Sequence, residues 1–344
     1  MRRWIYIGFL GFTTQAFSAT WNLNNNGNWN VNGNWTAPPA FPNGVDAVAV
    51  FGNVITANRI VTLGVPIAIG TINFDDNNNY SISSNTLTFQ VSSGNAAINV
   101  TNLNGNGAHS ILSAASLSNT LNMTLSSNAS FTMTGAISGV GGIIKNGTGS
   151  GSLVLNNATN SYGGATVINQ GNLTYNLAGC IPSTSAVTIG DGVSTANLLI
   201  AANMALANAF DVTINSSGSL VPNNNITTVL KSLQGSGFVV LTSGTANTNH
   251  LDITGSSNTA FSGIISGGST NVSTDPAAAN RLIKSGTGTL TLSGNNSYLS
   301  RTFVQQGVLA VQSSSALGVA GASSAVYVRA IGTQGSIYID GNGL

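Results

Sequence analysis

Residues 143–155 read IIKNGTGSGSLVL, and residues 282–292 repeat the pattern as LIKSGTGTLTL. Each stretch is followed by a tyrosine (Tyr162 or Tyr298) and, nine residues later, by a glycine. A unit of this size cannot bury an apolar face by itself, whereas stacked copies bury one between them. The internal repeat therefore predicts a stacked, solenoid architecture.

The composition favours strands and turns over helices. Only 5% of the 344 residues are charged, all eight acidic residues are aspartates, and Gly, Asn, Ser and Thr fill the polar positions. Helices draw on Glu, Lys, Arg and Ala, whereas these residues favour strands and tight turns. The hydrophobic share of 42% is enough to build a core. We therefore expect an all-β, turn-rich fold.

Apolar residues alternate with polar ones from about Val54 onward, as in residues 121–125, and Gly, Asn and Ser separate the runs. This period predicts short strands, which a β-sandwich would also show. The repeat and the asparagines favour a single-stranded, right-handed parallel β-helix, in which Asn amides pair along the axis. At roughly 22 residues per turn and about 4.8 Å between turns, the coil would have ~14 turns and a length of ~65 Å. Its inward positions include Leu153, Leu155, Leu290 and Leu292.

The N-terminus has the three parts of a secretory signal. Arg2 and Arg3 form a positive start, residues 4–12 are apolar, and residues 16–18 place small residues where a signal peptidase cleaves. The apolar run is too short for a membrane-spanning helix, which needs about 20 residues. We predict that residues 1–18 are removed and that the mature chain is exported.

The segment of residues 19–53 is rich in Trp and Asn. Its tryptophans, Trp21, Trp29 and Trp35, have two interpretations. They cap the open end of the solenoid, since terminal repeats need cover for their core and strand edge, or they form a row of exposed rings that stacks on sugars. We expect a cap, followed by a β-helix over residues 54–344.

No side chains form a recognisable catalytic motif, so we predict no catalytic residue. Asp75 and Asp76 form the only adjacent acid pair, and with Arg59 they are the one place where a glycan-cleaving carboxylate pair is conceivable. His109 and His250 are far apart in sequence. We expect all of these side chains to lie in solvated turns or on the surface. Replacing Asp75, Asp76 or His250 with Ala should then leave stability and binding almost unchanged.

Cofactor and metal sites are not expected either. Asp191 and Asp340 lie in glycine-rich turns, where an aspartate usually bonds its own backbone. Cys180 is the single cysteine, which predicts a small buried side chain and no disulfide. Lys145 and Lys284 stand at matching repeat positions and are expected to be solvated or to cap turns. After removal of the signal, seven basic side chains face eight aspartates, so nucleic-acid binding through a basic surface is not expected.

The two repeat copies, at about 137–175 and 265–311, resemble the autotransporter-associated β-strand repeat of type V secretion passengers. Residues 284–298 (KSGTGTLTLSGNNSY) fit that pattern closely, and residues 29–51 are similar to the start of many such passengers. Residues 299–302 depart from the Gly- and Thr-rich turn that the first copy keeps at residues 162–166. The resemblance implies an exported Gram-negative passenger displayed at the cell surface.

A complete autotransporter ends in a transmembrane β-barrel, whereas residues 337–344 read as part of another β-helical turn. We expect that the sequence is a fragment or that another component anchors it in the outer membrane. The expected function is an adhesin-like or structural stalk that contacts host-surface or envelope glycans or proteins. The alternatives are a β-helical glycan-degrading enzyme and a purely structural envelope coat element. Carboxylates from separate segments meeting in one groove would favour the enzyme.

Overall fold

The computed structural model describes most of the chain. The described residues are 17–36, 40–101, 107–241, 249–268, 280–319, 325–328 and 335–339. The predicted signal peptide lies outside them except for its last two residues, and so does Asp340.

These residues form 33 β-strands in three sheets, with two short 3-10 turns at Asn32–Asn34 and Leu206–Asn208. The first sheet contains β1 (Ser18–Thr20), β3 (Val48–Phe51), β6 (Thr71–Phe74), β9 (Ala96–Val100), β12 (Leu121–Leu125), β15 (Ile143–Gly147), β17 (Thr166–Ile168), β19 (Val187–Ile189), β21 (Phe210–Ile214), β23 (Thr227–Gly235), β25 (His250–Ile253), β26 (Thr259–Phe261), β28 (Arg281–Lys284), β29 (Thr289–Leu292), β30 (Arg301–Val304), β31 (Gly307–Val311), β32 (Val326–Val328) and β33 (Gly335–Ile339). The second sheet contains β2 (Gly27–Asn28), β4 (Arg59–Thr62), β7 (Tyr80–Ser83), β10 (Ala108–Ile111), β13 (Ser130–Met133), β16 (Ser152–Leu155), β18 (Gly171–Tyr175), β20 (Ala196–Ile200), β22 (Gly218–Pro222), β24 (Phe238–Leu241) and β27 (Ile264–Gly267). The third sheet contains β5 (Ile67–Ile69), β8 (Thr86–Phe89), β11 (Ala114–Leu117) and β14 (Ile137–Gly139).

The strands pair in parallel from one turn of the chain to the next. In the first sheet β9 pairs with β12 and β12 with β15, while in the second sheet β10 pairs with β13 and β13 with β16. The result is a parallel β-solenoid of about 11 turns. The all-β, parallel solenoid predicted from the repeat is confirmed.

The turns are longer than the sequence pattern predicted, so the expectation of ~14 turns is wrong. Leu121 pairs with Ile143, 22 residues on, but His250 pairs with Arg281, 31 residues on. Long connections between strands, such as the one after β27, lengthen the later turns without adding a new one. Strand β23 pairs with both β25 and β26, so the first sheet continues in two branches beyond it.

The core runs along the axis and is built by strict alternation. In β12 the side chains of Leu121, Met123 and Leu125 are buried, and the two residues between them are half-buried on the outer face. The four leucines predicted to point inward, Leu153, Leu155, Leu290 and Leu292, are all fully buried. Each apolar side chain therefore stacks on its counterparts in adjacent turns, as the period-2 spacing predicted.

An aromatic cluster closes the N-terminal end. Trp21, Trp29 and Trp35 are at most 4% exposed, and their rings pack edge to face against one another and against Phe51. The indole N–H of Trp29 donates to the carbonyl oxygen of Pro42 at 2.8 Å. Rings buried in this way cannot stack on a sugar, so the aromatic cap is confirmed and the row of exposed rings is wrong.

Candidate functional site

The acid pair that sequence reasoning considered for catalysis is split between solvent and core. Asp75 is exposed, but Asp76 is only 3% exposed, which contradicts the expectation of a solvated turn. Asp76 Oδ1 accepts hydrogen bonds from the backbone N–H and side-chain amide of Asn78 at 2.7 and 3.2 Å, and Oδ2 accepts one from the Ile55 N–H at 3.4 Å. The carboxylate therefore organises a turn.

Arg59 does not join these acids. Its guanidinium donates to the backbone oxygen of Asn24 at 3.1 Å and to the side-chain oxygen of the same residue at 3.4 Å. The arrangement of two carboxylates beside an arginine that a glycan-cleaving site would use is therefore not formed by Asp75, Asp76 and Arg59.

His109 is buried, so the expectation that it lies on the surface or in a turn is wrong. Its ring is 1% exposed, stacks on Phe74 with ring centres 4.6 Å apart, and accepts the Tyr80 backbone N–H at Nδ1 at 3.1 Å. Burial lowers the pKa of His109 to about 4, and the opposing influence of Asp76 does not offset it. The imidazole is thus neutral at pH 7 and serves as a core aromatic ring with one backbone acceptor.

The other histidine lies on a different sheet and a separate turn. His250 is half-buried in β25, where it pairs with Arg281 of the next turn. The two histidines therefore contribute to separate surroundings, and neither is part of a triad with a serine and a carboxylate among the described residues.

The remaining candidates for metal or thiol chemistry have structural roles. Among the described residues no three His, Cys or Asp side chains are grouped to hold a metal ion. Asp191 Oδ1 accepts the N–H groups of Ser194 and Val193 at 2.7 and 2.8 Å, which hold the pKa of its carboxyl below the usual value. Cys180 is fully buried, as predicted, and burial raises its pKa to about 11, so it stays a thiol.

The repeat lysines are buried, and only half of the expectation for them is correct. They do cap turns, but they are not solvated: Lys145 is 0% exposed and Lys284 is 2% exposed. Lys145 Nζ donates to the backbone oxygens of Asn146 at 2.8 Å and Gln170 at 3.0 Å, which lie on adjacent turns of the solenoid. Loss of hydration lowers the pKa of each lysine to about 8.

The second lysine repeats these contacts. Lys284 Nζ donates to the backbone oxygen of Gly286 and, at 3.4 Å, to that of Gln306. In both copies the residue after the second acceptor is a glycine with positive φ, 76° at Gly171 and 70° at Gly307. An L side chain rarely adopts this conformation, so the glycine and the lysine together shape the turn.

A buried asparagine makes a second repeated contact. Asn160 Oδ1 accepts the Ile137 N–H at 2.8 Å, and Asn160 Nδ2 donates to the Cys180 carbonyl at 2.8 Å, so one amide joins three turns. Asn296 makes the same two bonds in the second copy, to Ile265 at 2.7 Å and Ala316 at 2.7 Å.

A tyrosine and threonine pair completes the set. The Tyr162 hydroxyl lies 2.7 Å from Thr166 Oγ1, and the Tyr298 hydroxyl lies 2.9 Å from Thr302 Oγ1. We call the four side chains of each copy the repeat brace: Lys145, Asn160, Tyr162 and Thr166 in the first, and Lys284, Asn296, Tyr298 and Thr302 in the second. Sequence reasoning missed the asparagines and threonines, although they are identical in the two copies.

Two open grooves on the outer face of the first sheet are the clearest surface features of the described residues. The larger-scale one crosses five successive turns, has a volume of about 340 Å³, and is lined by side chains that include Thr124, Asn146, Asn169, Gln170 and Asp191. The second, of about 530 Å³, is lined by Thr213, Gln234, Asn258, Thr259 and Thr291, among others. Both are polar, and Asp191 is the one charged residue that lines either of them.

The family comparison agrees with the repeat. The family model described as passenger-associated-transport-repeat matches residues 148–174 and 282–311, which lie in the two copies. No curated protein and no solved structure matches the chain. No helix among the described residues is long and apolar enough to cross a bilayer. The two matches and the parallel β-solenoid fit an autotransporter passenger domain with β-strand repeats, and this repeat family implies export to the cell surface or beyond it.

Proposed function

We propose that the chain is a non-catalytic, surface-displayed stalk that acts in adhesion or in contact between envelopes. The observation that carries the proposal is the duplicated repeat brace within one continuous solenoid, in the segments that match the passenger repeat family. A long scaffold whose polar groups are tied into its own turns suits display of an extended surface.

The described acids support a structural role over a catalytic one. Asp76 and Asp191 accept backbone N–H groups, as does Asp46, whose Oδ1 accepts the Ser92 N–H at 2.9 Å. A glycosidase needs two carboxyl groups that face each other across a substrate. Carboxylates bound to the backbone of separate turns do not provide that pair.

The proposal is tested on intact cells. Antibodies raised against the purified chain should label cells that carry the full gene, and external protease should remove the label. Cells without the gene should attach less to a glycan-coated or cell-covered surface than cells with it. Labelling only after the cells are opened would contradict surface display.

The enzyme alternative is tested in the same strain. Asp75→Asn and Asp191→Asn change exposed carboxylates and leave the core intact, so attachment should be unaffected. If either variant abolished release of sugars from a polysaccharide that the wild-type protein cleaves, the glycan-degrading alternative would replace the stalk.

A further inference from the structure

Two outward rows of the first sheet form an uncharged polar strip. The rows begin at Thr71 and Asn73 in β6 and follow the strand register to Thr291 and Ser293 at β29. Their residues are Thr, Asn, Gln, Ser, Ala, Gly, Ile and Val, and none carries a charge. We name these two rows the polar strip. Both grooves described above open onto it.

Side-chain amides in the first groove are held in fixed positions. Asn169 Nδ2 donates to Asn146 Oδ1 at 2.8 Å, and Asn146 Nδ2 donates to Asn122 Oδ1 at 2.5 Å. This ladder repeats one amide per turn of the solenoid. Because the ladder already orients the amides, a ligand that bonds to it loses little additional side-chain entropy.

The floor of the same groove is backbone, held from beneath by the repeat brace. Gly147 lines it with φ 141°, and a Cβ at this position would lie 1.8 Å from the Leu125 carbonyl oxygen. Lys145 Nζ binds the backbone oxygens of Asn146 and Gln170, which line opposite sides. The groove is therefore a rigid feature of the fold and spans roughly 19 Å along the axis, at about 4.8 Å per turn.

We propose that this groove binds an extended, uncharged glycan that lies along the solenoid axis, and that the contact serves the adhesion proposed above, on which it rests. Hydroxyl and amide groups match the donors and acceptors of a neutral sugar. A charged polymer would lose hydration without gaining an opposite charge, since Asp191 is the one charged residue that lines the groove and its Oδ1 is already bonded. An apolar partner finds no exposed apolar patch, because the lining Leu125 is fully buried. The second groove, with the same chemistry on the same strip, adds a further point of contact, so that affinity accumulates along a long glycan.

The test uses the whole exported chain and two linear probes, the hexasaccharides of β-1,4-linked glucose and of β-1,4-linked N-acetylglucosamine. Isothermal titration should show saturable binding of at least one of them. Thr124→Trp fills the groove from a half-buried outer position and should abolish binding. Gln170→Ala keeps the backbone oxygen that Lys145 uses and should weaken binding roughly three- to tenfold, the effect of one hydrogen bond.

The matched control is Thr174→Trp, an outward position of β18 in the second sheet, which should bind like wild type. Absence of binding by both hexasaccharides, or equal binding by Thr124→Trp, overturns the proposal. So does a neutral extended peptide that binds in their place, or a dimer in sedimentation that Thr124→Trp disrupts, since the groove would then serve a peptide or a second copy. Cells that remain labelled and attached while no hexasaccharide binds would remove only the groove assignment, whereas loss of surface labelling would remove the stalk function.

Discussion

Replacement of Lys145 with Met is the most informative perturbation of this fold. Methionine keeps the unbranched side chain in the core and removes Nζ, so the carbonyl oxygens of Asn146 and Gln170 lose their donor. A hydrogen bond from a charged donor contributes roughly 1.5–3 kcal/mol, and an unpaired buried acceptor costs about 1–3 kcal/mol. Relief from burying an ammonium group offsets part of this loss. We expect the free energy of unfolding to fall by about 1–3 kcal/mol at pH 7.

The pH dependence gives the prediction its sign. The pKa of Lys145 is about 8 in the folded chain and 10.5 in the reference state, so the unfolded chain binds more protons between those values. Stability contributed by this lysine therefore rises as the pH increases from about 8 to 10.5 and is lost as the pH falls back through 8. The methionine variant lacks this gain, so its deficit relative to wild type should widen across the same range.

The assay is urea unfolding followed by far-ultraviolet circular dichroism at pH 7, 8 and 9.5, together with hydrogen exchange of residues 143–175. Comparison with wild type cancels the contributions of Cys180 and the tyrosines, which titrate nearby. Lys231→Met is the control, because Lys231 is half-buried and donates to one backbone oxygen, that of Ser183. If Lys145→Met unfolded like wild type at every pH, the lysine would have no bracing role.

Three further substitutions test the core, the N-terminal turn and the repeat brace. Leu292→Ala removes a fully buried side chain and should cost about 2–5 kcal/mol, with faster hydrogen exchange mainly in neighbouring turns; exchange that accelerates evenly along the chain would contradict a one-dimensional array. Asp76→Ala leaves three donors without their acceptor and should lower the urea midpoint by about 1–3 kcal/mol, whereas Asp75→Ala should stay within about 0.5 kcal/mol, and equal effects would refute the distinction. Tyr162→Phe and Tyr298→Phe should each cost roughly 1 kcal/mol in the same unfolding assay, because each removes one buried hydroxyl contact; a difference of several kcal/mol between them would mean that the two copies are not equivalent.

The fold was predictable from sequence because its signals are local and repeated. Alternation placed Leu290 and Leu292 in the core, and the match between two distant segments indicated stacking. The number of turns was not predictable, because connections such as the one between Gly267 and Arg281 differ in length without changing the strand register. Long surface connections leave no mark on the period of the strands.

Burial of the polar residues was mispredicted for one reason. A charged or titratable type was taken to mean solvent, although position along the strand indicated the core. Asp76 and Lys145 follow the buried Phe74 and Ile143 by two residues, and His109 precedes the buried Ile111 by two. Successive side chains alternate between the faces of a strand, so each of the three shares the inward face. Residue type should have been weighed second.

The buried polar residues also answer a problem that repeated turns create. Apolar columns of Ile, Leu and Val are nearly interchangeable, so they discriminate weakly against a strand that slips along its neighbour. The Lys145 contact to the Gln170 backbone is satisfied only when one particular turn lies beside another, and the Asn160 bridge from Ile137 to Cys180 has the same requirement. In any other register these groups would be buried without partners, at a cost of about 1–3 kcal/mol each. Apolar stacking therefore supplies most of the stability of the solenoid, and the repeat brace specifies which turn stacks on which.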